Sequence, residues 1–410
     1  MDSRLAASVS LRADSVTSLP MRSPICWTVG LVVVALALLA VRAAARPYVR
    51  ATSLIVRTAG LERQHPTLAG LQTDAVAERK DTVPSRFGPL RARLYTPKTH
   101  TEGALLLTPG INALGIDEPR LVAFARHLAS SGFIVLTPEL PDLSRYLITA
   151  RSTDMIEDAA LWFSNRSDLT RGHRIGLAGI SFAGGLSMVA AGRPSLRGRL
   201  GFVFSFGGHA NFQRVVRYLC SGTEPPAPGI DHAPPVPAPH DYGVAIVTLD
   251  LAEQLVPPEQ MEPLKTGILT FLHASHLALF DQKTADQEFA HARAQEEAMA
   301  EPGRTFLHLV NVRDVQNLGP KLLPHLANLG DNAALSPDQS PAPDAPVFLL
   351  HGVEDNVVPA IETLRLAKHL EPYTTVHLLL TTLISHADVD RPATTSEVVN
   401  LIRFWAGMMK

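Results

Sequence analysis

The sequence is poor in cysteine and has no cluster of positive charge, and both shortages exclude classes of protein. Only Cys26 and Cys220 occur among the 410 residues, too few for a disulfide framework or a thiolate metal site. Lysine and arginine number 37 against 39 acidic residues, and they form no extended basic run. We therefore expect no nucleic-acid binding. A hydrophobic content of 46% with 19% charged residues indicates a globular protein with a sizeable core.

Motifs for cofactors and metals are missing as well. The sequence contains no G-x-G-x-x-G or Walker loop, and no H-E-x-x-H or Cys/His ligand spacing. Histidines of residues 213–344, among them His232, His240, His273 and His276, show no such spacing. The last two form the motif HASH, for which we predict a polar turn on a helix. The sequence thus predicts neither a cofactor nor a metal ion.

One long apolar run is present near the N-terminus. Residues 25–41 carry no charge over 17 positions and would span about 25 Å as a helix, the short end of a transmembrane span. Ala43 and Ala45 form an A-x-A pattern that favours a cleaved signal peptide instead. Against cleavage, the stretch before the run is long and Arg42 interrupts the approach. We predict a membrane anchor, with export after cleavage and a buried helix as alternatives; arginines on both sides leave its orientation open.

Beyond residue 50, short apolar runs alternate with helical patterns. Two extended runs in residues 75–97 are divided by SRFG and predict a hairpin that opens the sheet. Further strands are predicted at 103–110, 133–140, 174–180, 201–208, 345–352 and 374–383, with helices near 51–61 and between the strands. This alternation is typical of an α/β fold, a mostly parallel sheet with flanking crossover helices.

About 130 residues separate the strand at 201–208 from the next one. A structureless loop of that length is implausible, and helical patterns occur within it, so we predict a helical cap insertion with a flexible Pro-rich portion at 223–243. The predicted divisions are an N-terminal tail and hydrophobic segment (1–50), the first part of the core (51–212), the cap insertion (213–344) and the second part of the core (345–410).

The run IGLAGISFAGG, residues 175–185, places Ser181 between an apolar strand and a helix of small residues. A serine on a sharp strand-to-helix turn has an exposed hydroxyl, and small residues two positions away on each side let the backbones approach. Gly179 and Ala183 occupy those positions. The pattern predicts a nucleophile elbow, with an ordinary glycine turn carrying a spectator serine as the alternative.

A serine nucleophile needs a base, and the base needs an orienting carboxylate. Asp355 follows the strand at 345–352, and His386 follows the next strand. The chain order Ser181, Asp355, His386 is that of nucleophile-elbow hydrolases. All three follow the carboxyl ends of strands, where open α/β sheets build their sites. The pattern predicts a catalytic triad, and it leaves adjacent Glu354 as a competitor of Asp355.

The segments HGVEDNVVP at 351–359 and SHADV at 385–389 resemble the acid loop and the histidine loop of the α/β-hydrolase superfamily, in its dienelactone-hydrolase-like and carboxylesterase-like branch. The resemblance covers about residues 75–212 and 345–410. It implies the α/β-hydrolase fold and three roles: Ser181 as nucleophile, Asp355 as acid and His386 as base. Ala183 stands where the family usually has glycine, and it is also small.

The segment LLTPGINALG, residues 106–115, departs from the H-G-G or H-G-x that the family often carries after its third strand. Pro109 stands at the histidine position and Gly110 matches the glycine. An oxyanion hole needs backbone N–H donors rather than a particular side chain. We therefore predict Ile111 and Phe182 as the donors, with Asn112 in a supporting role only.

These residues together predict a serine hydrolase that cleaves a small-molecule acyl ester through an acyl-enzyme. Peptide hydrolysis and acyl transfer use the same groups and stay open, as does a non-catalytic binding protein on the same fold. The insertion starts after a strand whose end faces the triad. We expect it to cover the pocket, with residues 267–280 as a wall or, alternatively, as core packing. The oligomeric state is left undetermined.

Overall fold

The predicted strands form one eight-stranded sheet. The computed structural model describes residues 24–329, 332–384 and 394–410, and the side chains of 36–327, 332–384 and 394–410. The strands are β1 (Val76–Val83), β2 (Leu90–Pro97), β3 (Gly103–Thr108), β4 (Phe133–Pro138), β5 (Ile175–Ile180), β6 (Leu200–Phe206), β7 (Val347–Gly352) and β8 (Val376–Thr381). Every strand predicted from the sequence is present.

The strand order is β1-β2-β4-β3-β5-β6-β7-β8. The pairs β1/β2 and β2/β4 are antiparallel, and the remaining neighbours are parallel. This confirms the predicted α/β architecture with a mostly parallel sheet. From β3 the chain continues to its neighbour β4, toward one edge of the sheet, and from β5 it continues to β6, toward the other edge. The crevice between the carboxyl ends of β3 and β5 is therefore a topological switch point.

The helices of the described residues cover both faces of this sheet. They are α1 (Pro24–Thr58), α2 (Pro66–Ala69), α3 (Pro119–Ser130), α4 (Ala150–Ser164), α5 (Ser167–Thr170), α6 (Phe182–Ala191), α7 (Phe212–Ser221), α8 (Asp241–Leu255), α9 (Pro258–Leu277), α10 (Gln282–Glu297), α11 (Gly303–Asn311), α12 (Val315–Leu322), α13 (Ala360–Leu370) and α14 (Thr395–Met408).

Strand β3 shows why its sequence is apolar throughout. Side chains of a strand alternate between its two faces. Leu105 and Leu107 therefore join a core layer with α1, α3 and α14, whereas Ala104 and Leu106 join the opposite layer with α4, α6 and the helices of the insertion. A strand buried on both faces reads as a continuous apolar run, which is the pattern of GALLLT.

The predicted anchor segment and the predicted helix near 51–61 form one continuous helix, α1, which contains Pro47. Good helix formers such as arginine and alanine flank the proline on its N-terminal side. The chain divides into two compact units, Met1–Arg46 and Pro47–Lys410. No helix built from the described residues has the length and apolarity needed to cross a membrane. Attachment to a membrane therefore stays a prediction from the sequence.

The helical insertion predicted between β6 and β7 comprises α7 to α12. Its Pro-rich portion contains no helix or strand between α7 and α8, but several bonds hold it against the core. Arg365 of α13 pairs with Glu224 at 2.7 Å, and Lys368 donates to the Pro228 carbonyl at 2.8 Å. The Tyr218 hydroxyl donates to the Pro237 carbonyl at 3.0 Å. The Pro-rich portion, which the sequence predicts to be flexible, is thus bonded to α13 through two cationic side chains and to α7 through the Tyr218 hydroxyl.

Candidate active site

Ser181 occupies the turn between β5 and α6 in a strained backbone conformation. Its φ is 56° and its ψ is −135°, a combination that is sparsely populated for residues other than glycine. Its N–H donates to the Phe206 carbonyl at 2.7 Å, and its carbonyl accepts from the Gly184 N–H at 2.7 Å. The end of β6 and the first turn of α6 therefore hold this conformation on both sides.

The small residues around Ser181 are required by close backbone contacts. A Cβ at Gly179 would lie 2.2 Å from the Ala183 carbonyl oxygen and 2.6 Å from Ser187 Oγ, a distance that real Cβ atoms do not adopt. Ala183 itself is fully buried in the core layer of α4 and α6. The sequence pattern around Ser181 therefore has a structural reason: the turn has no room for a side chain at Gly179.

The loop after β3 passes directly beside Ser181. A Cβ at Gly110 would lie 3.6 Å from Ser181 Cβ and 3.5 Å from the Ile180 carbonyl oxygen. The predicted donor Ile111 follows in this loop. The other predicted donor, Phe182, is the first residue of α6, and the first four N–H groups of a helix have no partner within it. Both predicted donors therefore lie on segments adjoining Ser181.

Two helices of the insertion contact this oxyanion loop, which we define as residues 109–114. Asn112 Oδ1 accepts from the Leu114 N–H at 2.8 Å, and Asn112 Nδ2 lies 2.8 Å from His276 Nδ1 of α9. The Tyr242 hydroxyl of α8 donates to the Ile111 carbonyl at 3.5 Å. HASH lies on helix α9, and its second histidine, His276, is 5% exposed and contacts the loop through Asn112.

Asp355 lies in the loop after β7 and is 1% exposed. One carboxylate oxygen, Oδ1, accepts from the N–H groups of Val357 and Val358, both at 2.9 Å. The other oxygen, Oδ2, lies 3.3 Å from Nε2 of buried His351. The competing residue Glu354 is exposed to solvent. Of the two acids, only Asp355 has a carboxylate fixed inside the structure.

The end of β6 lies between Ser181 and Asp355. Phe206 accepts the Ser181 N–H, and the next residue, Gly207, donates to the Leu350 carbonyl at 2.9 Å. Gly207 adopts a φ of 63°, and a Cβ there would lie 3.5 Å from Asp355 Oδ2. The structure thus brings the predicted nucleophile and the predicted acid to the same short segment.

The predicted base, His386, lies outside the described residues. Strand β8 ends at Thr381, whose carbonyl accepts from the Val353 N–H of the Asp355 loop at 2.8 Å. The last described residue before His386 is Ile384. The described part of β8 therefore ends at the sheet edge that carries Asp355, and the role of His386 stays a prediction.

Glu362 organises the loop between β6 and α7, and sequence reasoning missed it. This fully buried carboxylate of α13 accepts from the N–H groups of Ala210 at 3.1 Å and Asn211 at 2.9 Å. It also pairs with Arg214 at 2.5 Å and Arg365 at 2.9 Å. Burial alone would raise the pKa of Glu362, but the bonds from Arg214 and Asn211 and the charge of Arg365 hold it below its usual value. A single acid three residues after Pro359 gave no local signal of this role.

An apolar cavity adjoins Phe182. Its walls come from the segment after β4, from Phe182, and from helices α7 and α8: Tyr146, Ile148, Phe182, Phe212, Val216, Leu219, Gly243, Ile246, Val247 and Asp250. Residues 267–280 contribute no wall to this cavity. Ile268, Phe271 and Leu272 of that segment lie in the core instead, which is the alternative that the sequence left open.

Comparisons with known proteins find only distant similarity. No family model and no curated protein matches the chain. The chain is similar to a dienelactone hydrolase from Anabaena variabilis, at 15% identity over 81% of this chain and 96% of that one, with a TM-score of 0.40. It is also similar to an esterase from Pyrobaculum calidifontis, at 15% identity over 83% and 84%, with a TM-score of 0.41. A Pyrococcus horikoshii acylaminoacyl peptidase matches at 13% identity over 84% of this chain but 42% of that one, with a TM-score of 0.41. Because these similarities are distant, we infer function from the geometry around Ser181.

Proposed function

We propose that the chain is a serine hydrolase that cleaves a small acyl ester, with Ser181 as nucleophile. The observation that carries this proposal is the strained Ser181 turn, with φ of 56°, facing a loop whose Gly110 approaches the serine side chain. Backbone strain of this kind persists only where the surroundings enforce it, and it is concentrated at functional sites.

The proposed reaction follows from the groups around this turn. His386 takes the hydroxyl proton while Ser181 Oγ attacks the acyl carbon. The N–H groups of Ile111 and Phe182 then stabilise the oxyanion. His386 returns the proton to the leaving alcohol, and water releases the acyl group by the same steps in reverse roles. Buried Asp355, held by two N–H bonds, orients the imidazole.

The insertion, in this proposal, caps the site and supplies part of the substrate pocket. The cavity beside Phe182 is walled mainly by apolar side chains, several of them from α7 and α8. Phe182, a proposed oxyanion donor, also lines this cavity, and we propose the cavity as the place for an apolar acyl or alcohol group. Burial of such a group contributes about 0.8 kcal/mol per CH₂.

Residues 25–41 are proposed as a membrane attachment. In the described part of α1, Leu36, Leu38, Leu39 and Val41 are 60%, 65%, 61% and 66% exposed. Exposed aliphatic side chains in a row favour an apolar surrounding. Cleavage near Ala43 and Ala45, with export of the remaining chain, is the alternative.

The first prediction concerns Ser181. A fluorophosphonate should label the wild-type chain at Ser181, located by peptide mass spectrometry, and Ser181→Ala should lower turnover of a p-nitrophenyl ester by about 10⁴ to 10⁶. Ser164→Ala on α4 is the control, and we expect it to behave as wild type. Turnover retained by folded Ser181→Ala would overturn the assignment. Absence of both labelling and turnover in the wild type would favour a non-catalytic protein, and turnover of a peptide anilide in preference to the ester would favour a peptidase.

A further inference from the structure

Asn112 is held in one orientation by bonds at both ends of its amide. The Leu114 N–H needs an acceptor, so the oxygen of the amide must face it at 2.8 Å. The NH₂ group then faces the imidazole of His276, 2.8 Å from Nδ1 and 3.5 Å from Nε2, so Nδ1 is the nearer nitrogen. An NH₂ group is a donor only, so Nδ1 of His276 must be an acceptor. His276 is therefore the neutral imidazole with its proton on Nε2.

The surroundings of His276 favour this neutral form. The side chain is 5% exposed, and the ring of Phe280 packs edge-on with 5.3 Å between centroids. Burial lowers the pKa of His276; the charge of Glu118 opposes this effect, whereas Arg120 and His273 add to it. At neutral pH the imidazole consequently keeps the acceptor that Asn112 requires.

A second helix of the insertion holds the same loop. Tyr242 of α8 donates from its hydroxyl to the Ile111 carbonyl at 3.5 Å, a long bond. The Tyr146 ring packs edge-on against it at 6.1 Å. Burial raises the pKa of Tyr242 far above its usual range, so the phenol stays a donor. Two insertion helices thus contact consecutive residues of the oxyanion loop.

We propose that His276 is a positioning residue that sets the oxyanion hole by holding Asn112, so that the insertion is part of the catalytic machinery as well as a pocket wall. This inference rests on the proposed function, because it takes Ile111 as an oxyanion donor. Donors of this kind act only when they lie within hydrogen-bond reach of the developing oxyanion, and a misplacement of about 1 Å costs about 10²-fold in rate.

The test compares two substitutions at His276 of similar size, of which only one keeps a hydrogen-bond acceptor. His276→Leu removes the acceptor, and we expect kcat to fall by about 10- to 100-fold with KM nearly unchanged, because the oxyanion forms only in the transition state. His276→Asn places an oxygen close to where Nδ1 stood, and it should restore most of kcat. His273→Leu, one turn earlier on α9, is the matched control and should leave kcat unchanged. Thermal unfolding verifies that each variant is folded.

A double-mutant cycle tests whether His276 acts through Asn112. Asn112→Ala should lower kcat as His276→Leu does, and the double variant should lose no more than either single one. Additive losses, or equal losses in His276→Leu and His276→Asn, would overturn the positioning role.

The pH profile supplies a readout that a purely structural role would not move. In the wild type both His386 and His276 must be neutral, so binding of two protons should lower kcat at low pH, with a slope of about two in log kcat against pH. In His276→Asn only one of these protons can bind, and the slope should be about one. Equal slopes would contradict the proposal. If Ser181→Ala keeps wild-type turnover, the proposed function fails; if Ser181 is essential but His276→Leu has wild-type kcat, only this inference fails.

Discussion

At the scale of single residues, two neighbouring acids differ in their surroundings. Glu354 and Asp355 are adjacent and chemically alike, so the sequence left both open. In the structure Glu354 is exposed, whereas Asp355 is buried and accepts two backbone N–H bonds. A carboxylate orients an imidazole only if it is itself fixed, and Asp355 meets that condition.

Asp355→Asn should therefore lower ester turnover by about 10⁴, because an amide at this position stabilises the wrong imidazole tautomer. Glu354→Gln is the matched control, one residue away, and should change turnover less than threefold, as expected of an exposed side chain. The measurement is kcat on a p-nitrophenyl ester. The reverse ranking of the two variants would transfer the acid role to Glu354.

At the scale of elements, strand ends and helix starts place the groups, and long-range polar contacts hold them there. Strand β5 presents Ser181, and the end of β6 adjoins both the serine and the acid: Phe206 accepts the Ser181 N–H, and Gly207 lies beside Asp355. The start of α7 is tied to α13 by Glu362, which accepts the Ala210 and Asn211 N–H groups. The loop between β6 and α7 is therefore positioned by a buried carboxylate from a helix about 150 residues later.

Glu362→Gln should lower the free energy of unfolding by about 3 kcal/mol, because it leaves Arg214 and Arg365 without their shared buried partner. Urea unfolding measures this loss. Glu371→Gln, at the exposed end of the same helix, should change the stability by no more than about 0.5 kcal/mol. A loss below 1 kcal/mol at Glu362 would mean that the network contributes little.

The pH dependence of stability follows from the same group. The pKa of Glu362 is lower in the folded chain than its usual value. Its contribution to the free energy of unfolding is therefore present above about pH 4.3 and is lost as the pH falls through the folded pKa. The stability difference between wild type and Glu362→Gln should therefore shrink below about pH 4. A constant difference across that range would contradict the assignment of the effect to this carboxylate.

At the scale of the whole molecule, residues 47–410 form one compact unit that includes the insertion. Helices α7, α8 and α9 share the core layer of α4 and α6, so the insertion is packed into the core rather than appended to it. This packing is why two of its helices reach the oxyanion loop.

The N-terminal segment makes the remaining prediction. If residues 25–41 form an anchor, the expressed full chain should keep its N-terminus and stay in the membrane pellet after an alkaline carbonate wash. N-terminal sequencing and immunoblots of the two fractions measure this. A chain that begins just after Ala45 and is found outside the pellet would favour a cleaved export signal.

The sequence by itself predicted features that depend on neighbouring residues. Apolar runs, and the two extended runs divided by SRFG, identified all the strands. The small residues around Ser181 identified the turn, and each of these signals comes from residues a few positions apart. The same local logic placed Asp355 and His386 after strand ends. The sequence did not show that Glu354 is exposed and Asp355 buried, because burial depends on distant segments.

Only the tertiary structure decided the contacts between distant segments. His276 and Asn112 are 164 positions apart, and the sequence HASH does not indicate which loop α9 contacts. The same holds for Glu362, which accepts the N–H groups just before α7. It also holds for the cavity, whose walls include α7 and α8 but not residues 267–280. Helix packing sets such pairings through the summed burial of many side chains, and that sum is a property of the folded chain rather than of any short segment.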